Sequence, residues 1–247
     1  MEYPIHRKEL IVGPSLCDYA GALGMPDTFA VFMDLAAEHA ETLGVGLEAM
    51  TKAGLFWLTV KTRVHFYRRP RMGETITAET WPMAPDRLRC IRNYTLSAGD
   101  ELLAAGKTEW MVLNRNTGRL QPTAELFSPE LVFSDRETVP EAFAPVRPHA
   151  PETVLGDYTV RSTDIDVGGH MNNVAYLRAF AGLLPVERWN ALPCRVVDIS
   201  YKAQCFEGER LEFRQETEPG RLLVQALDPA GKTAVQITLY ETERSEP

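Results

Sequence analysis

The chain has little of what several common functional classes require. Its four cysteines are widely spaced and form no Cys-x-x-Cys pair, so we expect reduced thiols and no zinc cluster. No apolar run approaches the roughly 18 residues of a membrane-spanning helix. No P-loop and no Gly-x-Gly-x-x-Gly between a strand and a helix is present, so no nucleotide, redox or metal cofactor is indicated. The net charge of −8 argues against a general nucleic-acid-binding protein.

What is present is the composition of a globular protein with a sizeable core. The 247 residues allow one large domain or two of ordinary size, and 45% of them are hydrophobic. The stretch 1–8 has no apolar core of a signal peptide, so we expect a cytoplasmic protein.

A long helix is predicted near the start of the chain. Pro26 and a cap at Asp27 or Thr28 would begin it, and Gly44 would end it. Apolar residues recur at helical spacing between these points: Phe29, Phe32, Met33, Ala36, Ala40 and Leu43. The simplest role of this stripe is to pack in the core. The first three of these side chains could also line a pocket for an apolar ligand.

Strands and then a proline-rich segment follow the helix. Period-two patterns and turn signals predict strands at 56–67, 75–81, 88–96 and 108–113. The stretch 121–155 has many prolines and weak periodicity, which is typical of a linker lying over a surface. We therefore predict a first domain at 1–135, a linker at 136–152 and a second domain at 153–247.

The second half repeats the order of the first. A short strand at 158–160 precedes a helix at 172–184, and the stretches 194–202, 211–216, 222–227 and 234–241 predict further strands. Tyr67 comes before Gly73-Glu74, and Tyr201 comes before Gly208-Glu209. Such echoes in shared order indicate an internal duplication. The sequence predicts an α+β fold of two units, each a long helix followed by an antiparallel sheet.

The stretch from Asp164 to Leu177 concentrates the chemistry. Asp166 and His170 supply acid–base capacity directly before a helix. Gly168 and Gly169 let backbone approach a ligand, and the amides at the helix start could bind a carbonyl that gains negative charge. Two simpler roles stay open: Asp166 as a helix cap and His170 as a structural hydrogen-bonding group.

The two asparagines of this stretch are better explained as builders of the loop and the helix cap. Asn172 and Asn173 stand where a helix would start, and asparagine is a preferred capping residue. A catalytic role for either is the alternative.

The motif Asp-x-x-Gly-His-Met-Asn-Asn in a duplicated helix-and-sheet frame resembles the acyl-ACP thioesterases of plants and bacteria, which are double hotdog proteins. The resemblance covers most of the chain. It also includes the stretches 54–57, 67–74, 110–114 and 201–205. It implies a tandem hotdog fold in which the second half carries catalysis.

The resemblance implies Asp166 and His170 as catalytic residues, with two departures. Gly168 stands where that family usually has asparagine, and Gln204 stands where it has a glutamate. Cys205 matches a cysteine often found beside that glutamate. The Asp-x-Gly-Gly version is also similar to single-hotdog acyl-CoA thioesterases, in which the matching aspartate is the main catalytic carboxylate.

Thioester hydrolysis needs a nucleophile or base and stabilisation of an oxyanion. Asp166 would activate a water or attack the thioester to form an anhydride, and His170 would exchange protons or orient the reacting group. Gln204 can hold a water but cannot take its proton. A rival chemistry uses Cys205 as nucleophile and His170 as base.

Basic residues suggest how an acidic carrier protein could be bound. Arg68, Arg69 and Arg71 are candidates for contacting acyl carrier protein, against the simpler possibility of a solvated strand face. By resemblance, the acyl chain would lie in the first half near Phe29, Phe32, Met33 and Trp57. A monomer or a homodimer is compatible with the duplication.

The resemblance implies hydrolysis of fatty acyl-ACP to a free fatty acid and holo-ACP, and three other functions are alternatives. An acyl-CoA thioesterase uses the same site chemistry. A hotdog hydratase has an aspartate-to-histidine spacing one residue longer with an intervening Asn-Pro, which Asp166 and His170 lack. A non-catalytic acyl-thioester-binding protein stays open because Gly168 and Gln204 replace better catalytic groups.

Overall fold

The computed structural model describes residues 4–241. Residue contacts divide the chain into two units, the first made of the residues up to Val60 together with Phe66–Pro140. The second unit takes Lys61–His65 and the residues from Glu141 onward. The division at 140 falls inside the linker predicted at 136–152, and the end of the predicted second domain, 242–247, lies outside the described residues.

The first unit contains two helices and six strands among the described residues. The helices are α1 (Met25–Thr42) and α2 (Leu47–Lys52). The strands are β1 (His6–Ile11), β2 (Leu55–Phe66), β3 (Thr75–Pro82), β4 (Cys90–Ala98), β5 (Glu101–Asn114) and β6 (Arg119–Gln121). Their order is β1-β3-β4-β5-β2, with β6 paired to β5, and short 3-10 turns lie at Pro14–Leu16 and Ala124–Leu126.

Helix α1 begins earlier than its sequence suggested. Asp27 and Thr28 were expected to cap it, but Gly24 is the cap residue and Asp27 lies in the first turn. Pro26 is tolerated there because the first-turn amides have no partner within a helix. The predicted end is confirmed, since Gly44 follows the helix with φ of +73°.

The second unit contains two helices and five strands of its own among the described residues. The helices are α3 (Asn173–Gly182) and α4 (Val186–Asn190). The strands are β7 (Thr153–Thr159), β8 (Val196–Tyr201), β9 (Arg210–Glu218), β10 (Arg221–Leu227) and β11 (Thr233–Tyr240), with a 3-10 turn at Ser162–Asp164. Their order is β8-β11-β10-β9-β7, and Lys61–His65 of β2 pairs antiparallel with β8.

The same backbone junction occurs once in each unit. In the first, Val12 N donates to Glu74 O at 2.9 Å and Gly73 N donates to Val12 O at 2.9 Å. In the second, Val160 makes the corresponding pair of bonds with Glu209 and Gly208, each at 2.9 Å. Both glycines have positive φ, +86° and +85°. The echo that predicted a duplication therefore marks an identical turn.

The proline-rich segment is held by polar side chains that the sheet buries. In the first unit, the Trp81 indole donates to Arg136 O at 2.9 Å, and Asn93 Oδ1 accepts from the amide and hydroxyl of Thr138 at 3.1 and 3.0 Å. Buried strand residues thus satisfy backbone groups of a segment that has no ladder of its own.

The second unit holds its part of the segment in the same way. The carboxylate of Asp198 accepts from Ala144 N at 2.9 Å, and Gln236 Oε1 accepts from Arg147 N at 2.8 Å. Asp198 also forms a buried ion pair with Arg63, at 3.4 Å.

No helix within residues 4–241 is long and apolar enough to cross a membrane.

Candidate active site

The loop between β7 and α3 contains two aspartates with different roles. Asp164 is fixed inside the loop, because its Oδ2 accepts from the Tyr158 hydroxyl and from Arg161 N, both at 2.8 Å. Its carbonyl accepts from Asn172 N at 2.7 Å. Asp164 is therefore structural, and Asp166 is the carboxylate left for chemistry.

Asp166 stands at the start of a tight turn. Its amide donates to His170 O at 3.1 Å, and its carbonyl accepts from Gly169 N at 2.9 Å. Gly169 has φ of +79°, a conformation that residues with a Cβ rarely adopt. The side-chain Oδ1 accepts from Gly168 N at 2.7 Å, and no hydrogen bond within residues 4–241 engages Oδ2. One carboxylate oxygen is thus fixed and the other is available.

The capping role considered for Asp166 belongs to a different residue. Asn172 is the N-cap of α3, and its Oδ1 accepts from Val174 N at 2.8 Å. Asn173 is the first helical residue, and its carbonyl accepts from the Tyr201 hydroxyl at 3.3 Å. The geometry of Asn172 agrees with the loop-and-cap role inferred from the sequence.

His170 lies beside Asp166 in a largely enclosed position. Its Nδ1 is 4.0 Å from Asp166 Oδ1, which is too long for a hydrogen bond but close enough for electrostatic interaction. The same nitrogen is 3.3 Å from Met171 O. When Nδ1 carries the proton and donates to that carbonyl, the lone pair is on Nε2, which is the nitrogen able to act as a base.

The turn uses the two glycine amides that were expected to polarise a carbonyl. Gly168 N donates to the carboxylate of Asp166, and Gly169 N donates to the backbone carbonyl of Asp166. An oxyanion role for either amide therefore requires the turn to release it. The hydrogen bonds that fix Asp166 in the turn are the same ones that occupy these amides.

The segment after β8 reaches the motif through its backbone. Met171 N donates to Cys205 O at 2.8 Å. Gln204 is exposed, and no hydrogen bond joins its side chain to Asp166 or His170 among the contacts of the described residues. The Cys205 side chain is fully buried, and burial raises the pKa of its thiol. A raised pKa disfavours the thiolate that a cysteine nucleophile needs.

Tyr176 is a residue of this site to which the sequence assigned no role. It is buried on α3, and its hydroxyl donates to Ala203 O at 3.4 Å. Burial, and then a hydrogen bond with Cys205, raises the pKa of Tyr176 well above its usual range. The phenol therefore stays protonated and ties the segment carrying Gln204 to the helix of the motif.

Comparison with known proteins identifies the family of this chain. Residues 5–129 match the family model of the acyl-ACP thioesterase N-terminal domain, and residues 149–241 match that of the C-terminal domain. The chain belongs to the acyl-ACP thioesterase family. The resemblance inferred from the sequence is thereby confirmed.

Named relatives are similar over part of their length. The chloroplastic oleoyl-acyl carrier protein thioesterase of Coriandrum sativum is 25% identical over 194 residues, which is 71% of this chain and 52% of the relative. Oleoyl-acyl carrier protein thioesterase 2 of Arabidopsis thaliana is 23% identical over 220 residues, or 80% of this chain and 59% of the relative. The chain thus spans about half the length of these relatives.

Solved structures match the whole fold. An acyl-ACP thioesterase from Bacteroides thetaiotaomicron gives a TM-score of 0.80 at 18% identity, covering 96% of this chain and 97% of that one. The 12:0-ACP thioesterase from Umbellularia californica gives 0.78 at 18% identity, covering 96% of each chain. These matches confirm the α+β tandem hotdog fold.

The chain contains a second copy of the turn that begins at Asp166, and this copy lies in the first unit. Asp18 N donates to Ala22 O at 2.8 Å, and Gly21 N donates to Asp18 O at 2.9 Å. Gly21 has φ of +69°. Leu23 N donates to Pro70 O at 2.8 Å, as Met171 does to Cys205. Each half of the sequence contains an Asp-x-x-Gly motif, at 18–21 and at 166–169. The first motif did not predict a turn of this kind because no histidine follows it.

The first copy lacks the groups that the second copy offers for chemistry. Ala22 occupies the position of His170, and Arg69 occupies the position of Gln204. The guanidinium of Arg69 forms an ion pair with Asp18. The carboxylate in the first copy is therefore neutralised by a neighbour.

The three arginines predicted to contact acyl carrier protein line one surface pocket of about 290 Å³, with Ala20 and Ala22. Arg68 is held by Glu74 at 3.0 Å and by Glu101 at 2.7 Å. Arg69 pairs with Asp18, whereas the Arg71 guanidinium donates only to Ala20 O, at 3.0 Å. Arg71 is thus the member of this set whose guanidinium forms no ion pair with a carboxylate among the described residues.

The residues expected around the acyl chain fall into two groups in the first unit. Phe29 and Phe32 are buried and Met33 is partly buried, all on α1, and the Phe32 ring stacks on Tyr94 with centroids 4.8 Å apart. Trp57 packs instead in a cluster formed around Val45, Cys90 and Phe127, which we call the Trp57 cluster. The structure does not place all four side chains in one group.

Proposed function

We propose that this protein hydrolyses fatty acyl-ACP to a free fatty acid and holo-ACP, and so ends fatty acid chain elongation. One observation carries the proposal: among the described residues, no hydrogen bond engages Oδ2 of Asp166, on a turn that Gly169 closes. The other carboxylate oxygen, Oδ1, lies 4.0 Å from Nδ1 of His170. The family models that match both halves of the chain support the substrate class.

The chemistry follows from the two side chains. Asp166 either removes a proton from water as that water attacks the thioester carbonyl, or attacks the carbonyl itself. In the second case a mixed anhydride forms, the thiolate leaves, and water then cleaves the anhydride. His170 Nε2 takes up a proton from water and passes it to the leaving thiolate. Gln204 would hold the water without deprotonating it.

Isotope incorporation separates these two routes. In a single turnover in ¹⁸O-labelled water, attack by water on the thioester places the label in the fatty acid alone. Attack by Asp166, followed by hydrolysis of the anhydride at the aspartyl carbon, places the label in the protein carboxylate. Mass spectrometry of the peptide containing Asp166 reads the difference.

Acyl carrier protein is the proposed partner, and Arg71 its proposed main contact in this surface. Arg68 and Arg69 already neutralise carboxylates of the first unit, so reversing their charge would disturb the fold as well as binding. Arg71→Glu is the cleaner variant. It should raise KM for acyl-ACP and leave turnover of a short acyl-pantetheine unchanged. Equal loss on both substrates would contradict a docking role.

The alternatives are an acyl-CoA thioesterase and an acyl-thioester-binding protein that does not hydrolyse. An assay with a thiol reagent, on matched acyl-ACP and acyl-CoA, distinguishes them. Faster thiol release from acyl-ACP supports the proposal, faster release from acyl-CoA supports the first alternative, and tight binding without release supports the second. A cytoplasmic location and a monomeric or homodimeric state remain predictions from the sequence.

A further inference from the structure

Arg92 is a buried cation in the interior of the first unit. It lies on β4, is 6% exposed, and forms no ion pair with any carboxylate among residues 4–241. Its Nη1 donates to His39 Nδ1 at 3.0 Å and to Thr80 Oγ1 at 3.3 Å. Buried charges are normally paired, because removing them from water is costly. A buried arginine whose hydrogen-bond partners are all neutral is therefore unusual, and its position suggests a functional role.

The side chains that surround Arg92 are uncharged. Arginine can only donate, so His39 must accept through an unprotonated Nδ1. Burial, then the charges of Arg92 and His6, lower the pKa of His39 to about 3. Burial raises the pKa of Cys90 to about 11 and that of Tyr94 to about 12. The guanidinium is thus the charge at the centre of this interior region.

Charged groups of neighbouring elements lie one residue further out. The His6 ring of β1 stacks on His39 with centroids 5.5 Å apart. His6 Nε2 is 3.2 Å from Glu38 Oε2 of α1, and Lys8 also pairs with Glu38. Glu38 is therefore neutralised by its own partners rather than by Arg92.

Contacts along α1 and β4 occur in a fixed order. Phe32 stacks on Tyr94, His39 then meets Arg92, and Ala40 and Leu43 pack with Cys90 in the Trp57 cluster. The polar pair Arg92–His39 thus separates two apolar groups. One contains Phe32 and the other contains Trp57, and both were expected to contact an acyl chain.

We propose that Arg92 and His39 form a polar barrier that limits the length of the acyl chain. The inference rests on the proposed hydrolysis of fatty acyl thioesters. A chain lying against the buried face of α1 gains a factor of about four in binding for each methylene that leaves water. Binding no longer improves once the next methylene would have to push the Arg92 guanidinium away from His39 and Thr80, because those hydrogen bonds would be lost. Chains beyond this length are poor substrates.

The test is the length profile of kcat/KM on saturated acyl-ACP substrates that differ by two carbons. Arg92→Met replaces the cation with an apolar chain, and it should raise kcat/KM for the first chain beyond the limit by about 15-fold, from two further buried methylenes. Shorter chains should be unaffected. Arg92→Lys keeps the charge and should keep the limit. Lys107→Met is the matched control, since Lys107 is a buried cation that pairs with Glu137 instead.

Binding of the corresponding free fatty acids, measured by calorimetry, gives the same length limit without turnover. Arg92→Gln is a second variant, with a smaller shift expected, in case Arg92→Met does not fold by circular dichroism. A profile that is unchanged in folded Arg92→Met, or shifted equally in Lys107→Met, would overturn the barrier. Loss of hydrolysis on every substrate, with a length limit in binding that still depends on Arg92, would instead overturn the proposed function alone.

Discussion

Breaking the buried ion pair between Arg63 and Asp198 should strongly destabilise the second unit. The side chains are 3% and 1% exposed, and Nη1 is 3.4 Å from Oδ2. Asp198 also accepts from Ala144 N at 2.9 Å. Asp198→Asn keeps an acceptor for that amide but leaves the guanidinium without its carboxylate. Removing one member of a buried pair typically costs about 3–5 kcal/mol.

We expect a loss of about 3 kcal/mol, at the lower end, because other groups still contact Arg63. The Ala142 carbonyl accepts from its guanidinium, and the Tyr240 ring lies 5.8 Å from it. Urea unfolding followed by tryptophan fluorescence measures the change as a shift of midpoint at constant slope.

Two controls define the result that would refute this reasoning. Asp157→Asn breaks an exposed pair with Arg210 and should cause a much smaller loss than Asp198→Asn, because water screens exposed charges. The double variant Arg63→Met with Asp198→Asn should recover most of the loss, because it removes both buried charges and keeps the acceptor for Ala144 N. A loss in Asp198→Asn no greater than that of Asp157→Asn would show that the pair does not matter.

Three further predictions concern the two turns and the interior of the first unit. Asp18→Asn should leave kcat unchanged, because Arg69 neutralises that carboxylate in a turn without a histidine; a drop in kcat would show that the first turn takes part in hydrolysis. Tyr176→Phe should lower kcat by a few-fold, by loosening the segment that carries Gln204, with KM nearly constant, since the lost hydrogen bond is worth about 1 kcal/mol; an unchanged kcat would exclude this positioning role. The pKa of His39 in the folded state is lowered to about 3 from 6.5. Between these values the unfolded chain binds a proton at His39 and the folded chain does not. The contribution of His39 to stability is therefore complete above pH 6.5 and is lost as the pH falls toward 3. His39→Gln should remove this part of the acid sensitivity in melting curves, and an identical pH dependence in both proteins would contradict it.

Sequence patterns were sufficient where a local rule decides the structure. Gly44 ends α1 as expected, because a helix commonly ends with a glycine of positive φ. The paired Gly73-Glu74 and Gly208-Glu209 predicted a duplication because both form the same turn with Val12 and Val160.

Features that depend on contacts between residues distant in the sequence could not be predicted from local patterns. The alternation in β2 gave no sign that Lys61–His65 would belong to the second unit, since that depends on pairing with β8. The role of Tyr176 depends on a contact with Ala203, 27 positions away in the chain. The copy of the turn at Asp18 could not be recognised from the sequence, because Ala22 and Arg69 replace the residues that identify the turn at Asp166.

Hydrolysis by the Asp166 variant tests the central claim most directly. Asp166→Asn preserves the side-chain oxygen that Gly168 N contacts, so the turn should stay folded while the charge is lost. With acyl-ACP and a thiol reagent, wild-type protein should release holo-ACP and Asp166→Asn should lose at least about a hundredfold in kcat, the usual scale for a positioned acid or base. An Asp166→Asn protein that hydrolyses acyl-ACP at the wild-type rate would contradict the account.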